Sequence, residues 1–237
     1  MTAMKPALLV VTGLRREAQI AAGEGVLTLC SGGRSDLLRD RLSSIFSVRP
    51  RQGEIGAILS FGLAGGLAPH LRPGDIVIAS HVLTDDVRHD VHEDWHRAAA
   101  SALGHAMRVH RGAIAGSDSV VTTSAAKTAL HSGTTALAVD MESHIAAEYA
   151  REHNLPFAVI RAVSDPATRS LPDIASSALT PDGDVALARV IGGLLRQPGQ
   201  LPALIAAGRD SGRAFWALRR VRGLLGPLFG FRGADFR

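Results

Sequence analysis

Two stretches decide the fold. They are Ala136-Leu137-Ala138-Val139-Asp140-Met141-Glu142 and Phe157-Ala158-Val159-Ile160-Arg161-Ala162-Val163-Ser164-Asp165. Each reads as an apolar strand that ends on a carboxylate. Glu142 and Asp165 lie 23 residues apart, the length that a strand end, a short helix and the next strand consume in a βαβ unit. The spacing predicts a helix over 142–153 and two neighbouring strands opening onto one edge. In open α/β sheets that edge, at the carboxyl ends of the strands, is where ligands bind.

Outward from this pair the pattern alternates. Strands are expected at 7–12, 25–30, 55–61, 75–83, 112–116, 136–139 and 157–163, and further helices at 35–46, 94–109, 124–131 and 184–196. Continuous apolar runs such as Ala57-Ile58-Leu59-Ser60-Phe61 suit strands buried on both faces of a mixed, mostly parallel sheet. The fold class is α/β, a single three-layer αβα domain. Residues 165–184, rich in Pro, Ser, Thr and Asp, read as a long loop able to act as a lid.

With 237 residues and 46% hydrophobic content, the chain can bury one large core. The lone Cys30 excludes an intramolecular disulfide and a zinc-finger framework. It fits a reducing cytoplasm and is expected as a small buried hydrophobe. The start of the chain has no signal-peptide pattern, and its apolar runs fall short of the ~18 residues that a membrane span requires.

Charge is uneven. Only Lys5 and Lys127 are lysines, while residues 208–237 hold seven arginines against Asp210 and Asp235. Trp216, Leu218, Val221 and Leu225 punctuate the same stretch, so 1–207 reads as the domain and 208–237 as a basic amphipathic tail. Such a helix packs on the domain or contacts an anionic membrane surface. Nothing else resembles a nucleic-acid module, so no nucleic-acid partner is expected.

Glycine corners follow the second strand (Ser31-Gly32-Gly33-Arg34) and the third (Gly62-Leu63-Ala64-Gly65-Gly66). They let backbone amides approach a ligand, yet neither is a Walker loop or a G-x-G-x-x-G turn. His92-Glu93-Asp94-Trp95-His96 matches H-E-x-x-H literally. Its surroundings, 85–96, are crowded with charge and read as an exposed loop and helix start rather than a buried zinc helix, so no metal is expected.

Five segments together carry a family resemblance: Val11-Thr12-Gly13-Leu14-Arg15-Arg16-Glu17-Ala18, the Gly62 corner, Pro73-Gly74-Asp75-Ile76-Val77, Val139-Asp140-Met141-Glu142 and Arg161-Ala162-Val163-Ser164-Asp165. In this order they resemble the nucleoside phosphorylase and methylthioadenosine/S-adenosylhomocysteine nucleosidase superfamily. The start, the Ser-Gly-Gly corner and the basic apolar tail are most similar to its hopanoid-associated branch.

The resemblance implies a purine nucleosidase that needs no cofactor and acts on a 5′-substituted, lipid-linked adenosine such as adenosylhopane. It also implies a homo-oligomer, a dimer or larger. Asp165 would protonate the leaving purine, with Ser164 orienting it and Arg161 supporting from below. Glu142 and Met141 would hold the ribose, and Glu17 would activate water. Gly62, Leu63, Ala64 and Gly65 would line the nucleophile's side. Two departures stand out: Leu63 replaces a small hydroxyl residue, and Val120 replaces the phenylalanine that stacks on the base. Arg15 and Arg16 keep phosphorolysis open as an alternative reaction. A non-catalytic nucleoside-binding module is the alternative of another class.

Overall fold

The computed structural model describes residues 7–47, 55–172, 184 and 196–231. Eight strands form one mixed sheet: β1 (Ala7–Thr12), β2 (Val26–Cys30), β3 (Ile55–Gly66), β4 (Ile76–Leu83), β5 (Arg88–Asp90), β6 (Val109–Gly116), β7 (Ala138–Asp140) and β8 (Phe157–Asp165). Among the described residues six α-helices accompany them: α1 (Arg15–Ala21), α2 (Ser35–Ser47), α3 (Glu93–Gly104), α4 (Ser124–Thr134), α5 (Ser143–Glu152) and α6 (Leu201–Leu225).

Strand alternation sorts the core into two layers. Leu8 and Val10 of β1 join Leu59, Phe61, Ile76, Trp95 and Leu218 on one face. Leu9 and Val11 join Ile58, Val77, Leu38, Leu42 and Ile145 on the other. With side chains repeating every two residues, an apolar strand serves both faces, and helices cover each: α1, α3 and α6 on one, α2 and α5 on the other.

The sheet is not open. β3 pairs in parallel with β8, β8 antiparallel with β4, β4 in parallel with β6, β6 in parallel with β7, and β7 antiparallel with β3, so five strands close a ring. The expectation that the strands bearing Glu142 and Asp165 are neighbours in a βαβ unit is therefore corrected. β7 and β8 lie on opposite sides of the end of β3, where Gly65 is the register partner of Val139 on one side and of Asp165 on the other. The acids converge because the long β3 reaches both, with a register shift at Ala64/Gly65 that turns the strand end as a bulge does.

Other expectations are also revised. The helix expected at 94–109 stops at Gly104, and Val109 opens β6. Within the stretch read as an exposed loop, Arg88–Asp90 pairs with the end of β4 as an edge strand. It turns His89 inward between two exposed charges, the charged-edge pattern that deters further pairing. α1 was not anticipated. Residues 173–183 of the expected lid and 185–195 of the expected helix lie outside the described residues. No described helix is long and apolar enough to cross a membrane.

The expected boundary at 207/208 falls inside α6. From α6 onward Phe215, Leu218, Val221, Phe229 and Phe231 are buried in the first core layer, and the Trp95 indole donates to the Phe229 carbonyl at 2.8 Å.

Candidate active site

A pocket of about 210 Å³ opens where β3, β7 and β8 meet the start of α1. Its walls include Leu14, Glu17, Leu63, Ala64, Gly65, Val120, Met141, Glu142, Ser164 and Asp165. Of the residues singled out in the sequence, Gly62 and Arg161 do not line it; they lie directly beneath.

Glu17 is the third residue of α1 and 2% exposed. Its Oε2 accepts the Gly13 and Leu14 amides, both at 2.8 Å, so the side chain caps the helix that carries it. Its Oε1 accepts the Leu63 amide at 2.8 Å. Leu63 thus contributes its backbone where no hydroxyl is present. Burial, only partly offset by Arg161, pushes the Glu17 carboxyl up to about 7, and the nearby Glu142 charge adds to the rise. Gly62 is required at this spot, because a Cβ there would lie 2.7 Å from the Glu17 carboxyl carbon and from Arg161 Nη1.

Arg161 is fully buried and joins the acids. Its Nε lies 2.7 Å from Asp140 Oδ2 and its Nη2 3.3 Å from Glu142 Oε2. Nη2 donates to Ser60 Oγ at 2.6 Å, and Nη1 to the Leu63 carbonyl at 3.3 Å. Asp140 Oδ1 accepts the Glu142 and Ser143 amides at 3.0 and 2.8 Å, fixing the turn from β7 into α5. Glu142 Oε1 accepts Ser31 Oγ at 3.0 Å. Burial raises the Glu142 carboxyl above its usual range, with Arg161 pulling the other way. One guanidinium serves three carboxylates, leaving the cluster short of positive charge.

Asp165 is 5% exposed. Its Oδ1 accepts Ser164 Oγ at 2.6 Å, and its Oδ2 pairs with the Lys127 ammonium from α4. Lys127 is fully buried and also donates to the Pro166 and Arg169 carbonyls at 3.1 and 2.9 Å. Sequence reasoning missed Lys127, Ser31 and the central place of Asp140. The available signals were one of only two lysines standing among Ala, Ser and Thr in a helix, and a serine opening a glycine corner.

Val120 stands on the rim at 44% exposure. Arg15 and Arg16 turn away: Arg15 pairs with Asp184 at 3.2 Å, and the Arg16 guanidinium lies 4.2 Å from the centre of the Phe215 ring. Among the described residues the pocket wall carries carboxylates and no arginine, lysine or histidine. Of the H-E-x-x-H histidines, His96 has both ring nitrogens engaged, by the Ala79 carbonyl at 2.7 Å and Arg111 Nε at 2.8 Å. Cys30, expected buried, is partly exposed, with Sγ 3.4 Å from the Gly13 carbonyl.

The chain is 33% identical over 128 residues to a 5′-methylthioadenosine/S-adenosylhomocysteine nucleosidase of Anoxybacillus flavithermus; the match covers 46% of this chain and about half, 55%, of that relative. In structure it resembles a Helicobacter pylori nucleosidase of the same name, a mutant with 5′-methylthioadenosine in its active site (TM-score 0.63, 15% identity, 93% of this chain and 99% of that one). It also resembles futalosine hydrolase of the same organism (TM-score 0.62, 16% identity, 92% and 98%). The family model of the phosphorylase superfamily matches residues 44–189, more than half of the chain, and the chain belongs to that superfamily.

Proposed function

We propose that this protein hydrolyses the N-glycosidic bond of a 5′-substituted adenosine, releasing adenine and a ribosyl product. The observation that carries the reading is Glu17: a buried carboxyl near the middle of the physiological range, with Oε1 taking one backbone hydrogen bond and keeping a lone pair for a water proton. Water's oxygen attacks the anomeric carbon while its proton passes to Glu17. The C–N bond breaks with its electron pair on the purine, and Asp165, oriented by Ser164, passes to the base a proton taken from the Lys127 ammonium paired with it. Glu142 accepts hydrogen bonds from the ribose hydroxyls, and the carboxylate-rich cluster stabilises the positive charge that develops on the sugar.

Hydrolysis is preferred to phosphorolysis. A phosphate nucleophile would enter a wall whose described residues bear negative charge and no cation, with Arg15 and Arg16 engaged elsewhere. Apolar Leu63, Val120, Val121 and Leu171 around the pocket support a bulky hydrophobic 5′ substituent, of which the lipid-linked adenosylhopane is the example suggested by the family branch. A homo-oligomer and contact with a membrane surface belong to the same reading.

The test is adenine release with phosphate rigorously excluded. Turnover is expected to persist in the wild type and to fall at least 10²-fold in Glu17→Ala, the usual scale of a lost general base. Turnover that appears only on adding phosphate would overturn hydrolysis.

A further inference from the structure

We propose that the outward face of α6 docks the protein on an anionic lipid bilayer. The inference extends the membrane contact suggested above by naming the face and the residues that make it, and it does not depend on the reaction. At 3.6 residues per turn, α6 has two distinct sides. Asp210, Ala214, Leu218 and Val221 face the core. On the opposite side Leu201, Ile205, Trp216 and Leu224 are 46%, 48%, 61% and 44% exposed, four of the seven large apolar side chains exposed among the described residues. Arg209, Arg213 and Arg220 stand between them at steps of three and four, also exposed, so a single stripe is both greasy and basic.

The charge on this stripe is largely uncommitted. Arg213 shares Asp210 with Arg169. Arg209 and Arg220 have no carboxylate partner among the described residues, and the Arg220 guanidinium lies 5.3 Å from the centre of the Trp216 ring. A groove of about 630 Å³ runs alongside, with Arg108 across from Arg209 and Arg220. The acid in that groove, Asp75, is already held by Arg108 at 3.2 Å and His110 at 3.1 Å.

A bilayer fits this combination better than other occupants. Tryptophan and arginine together suit the headgroup level of an anionic leaflet, with leucine and isoleucine reaching the acyl boundary. A second copy of the chain would set arginine against arginine. A nucleic acid would answer the charge and leave the apolar residues wet. A free anion would fill the groove and leave the stripe bare. The docking also has a direction: Asp210 holds Arg169, whose carbonyl receives the Lys127 ammonium that pairs with Asp165. The membrane-facing helix is thus tied to the edge of the candidate active site.

The experiment uses the full chain with vesicles of phosphatidylglycerol and phosphatidylcholine, set against phosphatidylcholine alone. Binding is read by co-sedimentation and tryptophan emission. Trp95 is fully buried, so a blue shift reports Trp216. Binding is expected only with phosphatidylglycerol. It should weaken with salt, fall roughly fivefold for each arginine removed in Arg209→Gln and Arg220→Gln, and fall again in Trp216→Ala, which leaves the charge unchanged. Equal binding to phosphatidylcholine would overturn the proposal, as would displacement by inorganic phosphate beyond that caused by sodium chloride at the same ionic strength. So would tighter binding to a single-stranded oligonucleotide, or an oligomer that dissociates in the arginine variants. Adenine release from a water-soluble 5′-substituted adenosine should stay unchanged in all three variants, so failed docking and failed catalysis are read separately.

Discussion

The Glu17 carboxyl, fastened by three backbone amides and facing Glu142 beside Arg161, titrates at about 7 instead of 4.5, chiefly because burial strips its water. A base works only when deprotonated. The kcat/KM profile of the free enzyme should therefore rise with pH through about 7 and level off above it, a limb absent from any residual activity of Glu17→Ala. Stability runs the other way. The raised folded pKa means that the native state binds the proton more tightly than the unfolded chain, so this contribution is full below about 4.5 and lost as pH climbs through about 7, by up to about 3 kcal/mol. Denaturant unfolding at pH 5 and pH 8 should show a smaller loss in Glu17→Ala than in the wild type; an identical loss would refute the raised pKa. Glu142 and Asp165 were legible because each ends an apolar segment, and Glu17 through the resemblance carried by the segment around it. Lys127 was not: the contact that commits it crosses 38 residues, and local order along α4 says nothing of which way a helix turns its one lysine.

At the level of elements, the apolar strands were the most legible part, since β1, β3, β4 and β8 are largely buried on both sides and show it as stretches dominated by hydrophobic residues. α1 and β5 escaped notice for physical reasons. α1 spans only seven residues and takes its cap from its own third residue rather than from an N-cap Ser, Thr, Asp or Asn. β5 alternates buried histidine with exposed charge instead of apolar with polar. The ring closure was equally hidden, because it depends on how far β3 runs and on the glycines that let β8 come close. A Cβ on Gly66 would lie 3.0 Å from the Asp165 carbonyl and 3.1 Å from Val163 Cγ1, contacts with strand backbone and core that cannot both yield. Gly66→Ala should cost about 1–3 kcal/mol of stability by overpacking and lower kcat/KM by moving Asp165. Gly104→Ala, with nothing within 4 Å of the added carbon, should be neutral or slightly stabilising. Thermal melts and adenine release on the pair make the comparison, and equal behaviour would mean that the β3–β8 junction is looser than its geometry implies.

For the whole molecule the question is whether α6 is an appendage or a wall of the domain. Composition pointed to the first, because the arginines of 208–237 dominate the segment. Packing points to the second: Phe215 leans on Arg16 of α1, Arg222 donates to the carbonyls of Ala21 and Ala22 at 3.3 and 3.2 Å, and Phe229 is fully buried 4.8 Å from Phe61, ring centre to ring centre. Fully burying a large apolar side chain is worth about 1.5–3 kcal/mol, so Phe215, Leu218, Val221 and Phe229 together contribute roughly 6–12 kcal/mol, comparable to the roughly 5–15 kcal/mol by which a domain is stable at all. A chain ended after residue 200 should therefore lose its cooperative thermal transition and its adenine release together, even toward a water-soluble nucleoside that needs no membrane. The outward-face variants Arg209→Gln and Arg220→Gln should melt within about 0.5 kcal/mol of wild type, as surface substitutions do. A truncated chain that still melts cooperatively would show that the core closes without α6, and the helix would then be the tail that its charge first suggested.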